Sequence, residues 1–204
     1  LRSSMGVLAP ELSGELALAP EMLGAIASGF FVAYALMQIP TGILLDRFGP
    51  LVTVTGAFLM TVVGTYLFAI AASGGLMLMG RVLMGAGCAG VFAGAFMVIS
   101  RFFSNERFTV IGGTLNSFAM VGNLLATAPL AALVSITGWR LSFVAVTIVL
   151  SLILLLAAVS IRDYPVASKT RSIAQSESLR AMLSGSLAVL RTPGVLPLAG
   201  AGFA

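Results

Sequence analysis

Two arginines stand where charge is unfavourable. Arg2 lies eight residues before Pro10, inside apolar sequence, and Arg81 lies inside a second apolar run. A guanidinium at bilayer depth is unfavourable by roughly 2.5–3.5 kcal/mol on insertion scales, so it calls for an anion or an acid. No carboxylate falls in the interior of any complete apolar run. That favours an anionic ligand for Arg2, because the guanidinium fork meets a carboxylate or phosphate with two parallel hydrogen bonds. Other readings stay open: Arg2 can pair with an acid outside this sequence, and Arg81 can snorkel to an interface.

Further polar side chains sit inside apolar runs at helical spacing. Tyr34, Gln38, Gly42 and Asp46 are four apart. They form one helical stripe, drifting about 40° per step. Such a stripe faces a bundle interior or a water-filled path rather than lipid. Asn116, Met120, Asn123 and Thr127 share a face in the same way. Asn116 and Asn123 suit the hydroxyls or carbonyls of a ligand, or bonds to neighbouring helices. Gly85, Gly87, Gly90 and Gly94 read as close helix packing. Enzyme chemistry finds little support: there is no histidine, no acid–base pair and no nucleophile with a visible base. With one cysteine, Cys88, neither a disulfide nor a metal cluster is expected. No cofactor is implied, since the glycine-rich stretch lacks the Lys-Ser/Thr ending of a phosphate loop.

The elements that position these residues are membrane spans. Of 204 residues, 59% are apolar and 9% charged, against roughly 25% charged in soluble domains. The expected fold is all-α and polytopic. Residues 1–9 read as the end of a first span. Complete spans are expected at 21–45, 51–72, 76–100, 109–134 and 142–161. Residues 162–194 read as a polar linker, and a seventh span begins at 195–204. The domain reading is therefore a six-helix bundle over 1–161 with its first helix truncated, a linker over 162–194, and the first residues of another half over 195–204. In the linker, Leu179, Met182, Leu183, Leu187 and Leu190 recur at helical spacing, which suits an amphipathic helix on the membrane surface.

Charge gives an orientation. Loops at 46–50, 101–108 and 162–194 hold Arg47, Arg101, Arg107, Arg162, Lys169, Arg171, Arg180 and Arg191, whereas the opposite loops hold only Arg140. By the positive-inside rule the first set is cytoplasmic, in a cell membrane. The net charge of +4 fits this topology better than nucleic-acid binding. The loop at 42–50, GILLDRFGP, places Asp46 and Arg47 between two nearly uncharged runs. A tight turn explains Gly49 but not the charges, and a gating hinge accounts for both.

The pattern Gly42-x-x-x-Asp46-Arg47-x-Gly49 resembles the loop between the second and third helices of the major facilitator superfamily. Arg81-x-x-x-Gly85-x-Gly87 resembles that family's fourth-helix motif. Arg101-Phe102-Phe103 with Glu106-Arg107 resembles its next cytoplasmic loop, and Gly138-Trp139-Arg140-x-x-Phe143 the start of its sixth helix. Arg2-Ser3-Ser4 running to Pro10-Glu11-Leu12 is similar to organic-anion and sugar-phosphate members. The resemblance implies an amino-terminal half of a twelve-helix protein, built from three-helix inverted repeats, with alternating access around a midplane site. For Arg81 it implies a role in proton movement or in organising the cavity; with the spacing of the polar residues, the candidate substrate contacts are Arg2, Tyr34, Gln38, Arg81, Asn116 and Asn123. It implies a gate of Gly42, Asp46, Arg47, Gly49, Arg101, Glu106 and Arg107, closing against the missing carboxy-terminal half. One departure stands out: Pro50-Leu51 follow Gly49 where the family usually carries basic residues. The expected function is secondary transport of a small organic anion, with a possible coupling proton or ion. The alternative is a non-transporting membrane sensor or assembly partner on the same scaffold.

Overall fold

The computed structural model describes residues 18–160, with side chains for all of these but 101, 105 and 158–160. The described residues form four long helices: α1 (Pro20–Leu36), α2 (Gln38–Ala69), α3 (Gly74–Phe102) and α4 (Asn105–Ser160). Two of them are double. A straight helix of 56 residues, the length of α4, would run about 84 Å, far beyond a hydrocarbon core of about 30 Å. It breaks at Gly138 (φ 76, ψ 164), and α2 breaks at Gly49 (φ 79, ψ 169). Both values lie where a Cβ is strongly disfavoured, so glycine is required at each. The expected loops at 46–50 and 135–141 are thus single-residue breaks, with helical backbone on both sides.

Local chemistry sets the other boundaries. Pro20 opens α1 at a position that needs no N–H, and Glu21 follows in the first turn, where the helix dipole favours an anion. The expected second span, 21–45, divides at Met37. Pro40 has no N–H for the Leu36 carbonyl, and its ring crowds that carbonyl. Helical bonding resumes with Thr41 N–H donating to Met37 O at 2.9 Å. Pro129, by contrast, lies within α4 with no departure from helical angles. Ser73 caps α3 by accepting from Leu76 N at 3.4 Å. At its far end, Ser104 O accepts from Arg107 N and Phe108 N, both at 2.9 Å, as α4 begins.

Glycine contacts trace the path of the chain along α3. Gly74, Gly85, Gly90 and Gly94 meet Met22, Phe30, Thr41 and Leu45 in that order, so residues 20–48 run parallel to α3. Gly80, Gly87, Gly90 and Gly94 meet Phe68, Thr61, Ala57 and Val54, so residues 50–69 run antiparallel to it. The chain therefore reverses at Gly49. It reverses again at Gly138: Gly112 packs on Phe96, while Phe143 packs on Phe68. Close packing explains the glycines of α3. A Cβ at Gly85 would run into the carbonyl of Phe30, and one at Gly64 would lie 2.7 Å from Gly80 O.

The two reversals stand in matching sequence. Pro40 precedes Gly49 by nine residues, and Pro129 precedes Gly138 by nine. A hydroxyl residue follows each glycine by four, Thr53 and Ser142. Equal backbone angles and equal spacing on opposite ends of the bundle fit an inverted repeat.

Candidate functional site

Arg81 lies about 10 Å into α3 from its first residue. It is 1% exposed, so it does not snorkel. Its Cζ lies 4.8 Å from the centroid of the Phe68 ring, within the range of a cation–π contact. Phe68 is itself fully buried and anchors the core cluster. Phe143 tilts against it at 4.7 Å, and Trp139 meets it edge-on at 5.9 Å. Arg140 lies over the Trp139 ring at 4.3 Å and donates from Nη1 to Ala71 O at 2.7 Å. Cation, ring, ring and cation thus tie α3, the second part of α2, the 70–73 turn and the Gly138 turn together. Sequence reasoning named Arg81, but it gave Phe68 no role, because an aromatic in an apolar run carries no signal of its own.

The Gly49 end is built differently. Asp46, Arg47 and Phe48 are exposed on the described bundle, as are Gly42, Glu106 and Arg107. Arg47 Cζ lies 5.5 Å from the Phe48 ring, its own neighbour. Thr53 is buried, and its Oγ1 has no hydrogen-bond partner among the described residues. The matching Ser142 Oγ donates to Gly138 O at 2.7 Å and lies 3.2 Å from Thr137 Oγ1.

The remaining expected contacts lie on α1, α2 and α4. Tyr34 is half-buried, its ring stacked on Phe30 at 6.3 Å. Asn123 is half-buried, and its carbonyl accepts from Thr127 Oγ1 at 2.8 Å. Gln38 and Asn116 are exposed. Arg2, the Arg101 side chain, the linker over 162–194 and the seventh span lie outside the described residues. A groove of about 370 Å³ is lined by Tyr66, Val144, Thr147, Ile148, Ser151, Leu152 and Leu155, none of them an expected site residue. Among the described residues no three His, Cys, Asp or Glu side chains gather to hold a metal.

Among the described residues three helices are long and apolar enough to cross a membrane, and two of them contain a reversal. This is a helical integral membrane protein with charged turns and a buried guanidinium. The family model of the Major Facilitator Superfamily matches residues 1–204, and the chain belongs to that family. It is 29% identical to a probable sulfoacetate transporter of Cupriavidus necator, over 70% of this chain and 33% of that protein. It is 29% identical to a hexuronate transporter of Bacillus subtilis, over 72% of this chain and 35% of that protein. It is 30% identical to a probable L-galactonate transporter of Escherichia coli, over 71% of this chain and 32% of that protein. The chain spans about one third of the length of the curated relatives it matches.

Proposed function

We propose that the full-length protein is a secondary transporter that carries a small organic anion across the cell membrane by alternating access. The observation that carries this reading is family membership over the whole chain, together with relatives named for sulfoacetate, hexuronate and L-galactonate. All three names denote organic acid anions. The buried Arg81 supports it, since a guanidinium at bilayer depth suits a carboxylate or sulfonate. In this reading Arg2 and Arg81 attract the solute. Tyr34, Gln38, Asn116 and Asn123 face the path completed by the rest of the protein, and their hydrogen bonds select among solutes. Asp46, Arg47, Arg101, Glu106 and Arg107 form the cytoplasmic gate, with Gly42 and Gly49 giving it room to close. Residues 1–161 are the amino-terminal bundle, and 162–194 tether it to its partner half. The solute is moved unchanged, driven by a coupled proton or other ion, so no enzymatic step is invoked.

Uptake by full-length protein in proteoliposomes tests this. Labelled hexuronate should accumulate under an ion gradient, sulfoacetate should compete, and a neutral hexose should not. Arg2→Ala should lower uptake at least tenfold. No uptake of any anion under any gradient would overturn the reading, and equal competition by the hexose would remove its anionic part.

A further inference from the structure

We propose that Phe68 is a positioning residue for Arg81: its ring face helps to orient the guanidinium and thereby tunes affinity for the anionic solute. This rests on the reading of Arg81 as a solute group. Arg81 Cζ lies 4.8 Å from the ring centroid, and both residues are buried from solvent. Phe143 and Trp139 hold the ring from α4. The backbones of α2 and α3 meet beside it. A Cβ at Gly80 would lie 3.0 Å from Phe68 N and 3.1 Å from Phe68 Cβ. Gly80 is the residue before Arg81, so a close approach of the two helices brings the cation to the ring.

An arginine side chain is long and can reach for an interface. The π face opposes that by attracting the cation in a desolvated setting, where such contacts are strongest. Trp139 follows the Gly138 break directly, so the ring is also braced against the outer reversal of the bundle. A substitution such as Phe68→Ala would confound positioning with loss of the core. The ring's charge distribution, however, can be altered at nearly constant shape.

The test places mono-, di- and trifluorophenylalanine at position 68 of the full-length protein. Two quantities are read on each: the rate at which phenylglyoxal modifies Arg81, followed by mass spectrometry, and KM for labelled hexuronate. Fluorine withdraws charge from the ring face. The proposal therefore expects modification to quicken stepwise. It expects KM to rise about three- to tenfold at the trifluoro level, the scale of a buried cation–π contact partly lost, with little change in maximum rate. A flat modification rate across the series overturns the proposal, and that readout needs no transport. A rising rate with constant KM overturns the link to affinity. Arg81→Gln, measured alongside, then assigns the fault. If its uptake is unchanged, the reading of Arg81 as a solute group has failed. If its uptake is lost, Phe68 holds the cation without tuning it.

Discussion

The turns at Gly49 and Gly138 share backbone angles within a few degrees, yet their surroundings are opposite. At Gly138 the next two side chains are drawn inward. Trp139 is 2% exposed against Phe68, and Arg140 bonds the carbonyl of Ala71. At Gly49 the three preceding side chains, Asp46, Arg47 and Phe48, are exposed on the described bundle. The same reversal is thus made once as a fastened joint and once as a free one. Glycine and Pro50 favour the Gly49 conformation locally, whereas the side chains that follow Gly138 add tertiary contacts. In the proposed transport cycle, a half that rocks against a partner needs one end that keeps its own helices together and one end with charge to spare. The charged end is also the one that the positive-inside rule assigns to the cytoplasm.

Breaking the fastened joint should have the largest effect. Trp139→Ala empties a site against Phe68 and removes the ring under Arg140, and should destabilise the bundle by about 3–5 kcal/mol. Phe48→Ala, its counterpart at the open joint, should change stability by about 0.5 kcal/mol or less. Thermal unfolding of the full-length protein in detergent reads both. Next comes Gly85→Ala, which pushes a methyl into the Phe30 carbonyl and should cost about 1–3 kcal/mol. Gly49→Ala and Gly138→Ala each force a side chain into a strained backbone, at about 1–3 kcal/mol. Equal losses at the two would confirm that the glycines are equivalent and only their surroundings differ. The smallest effect has opposite signs at the two ends. Ser142→Ala removes a made hydrogen bond and should destabilise by about 1 kcal/mol. Thr53→Val removes a buried hydroxyl without a described partner and should be neutral or slightly stabilising.

Much of this was legible in the residue order. Bilayer-length apolar runs gave the all-helical class and the succession of long helices. Gly42-x-x-x-Asp46-Arg47-x-Gly49 marked the open turn, because charges in apolar surroundings are conspicuous. Arg81 was conspicuous for the same reason. Its support was not, since a ring face binds a cation only through tertiary geometry, and Phe68 looks like any other apolar residue of its run. The extent of the turns was overestimated. Residues 135–141 read as a loop between the expected spans 109–134 and 142–161, yet Thr137 Oγ1 donates to Leu133 O and Ser142 Oγ donates to Gly138 O. Hydroxyls that return to their own helix need no loop to hold them. The stripe of Tyr34, Gln38, Gly42 and Asp46 crosses the Met37 break, which periodicity alone does not reveal.

Hydrogen–deuterium exchange of the full-length protein in proteoliposomes, with and without hexuronate, addresses the contrast between the joints most directly. Peptides covering 46–50 should change their exchange when the solute is added, while those covering 137–143 stay protected and unchanged. A solute response at 137–143 with none at 46–50 would contradict the assignment of the fastened and the free end.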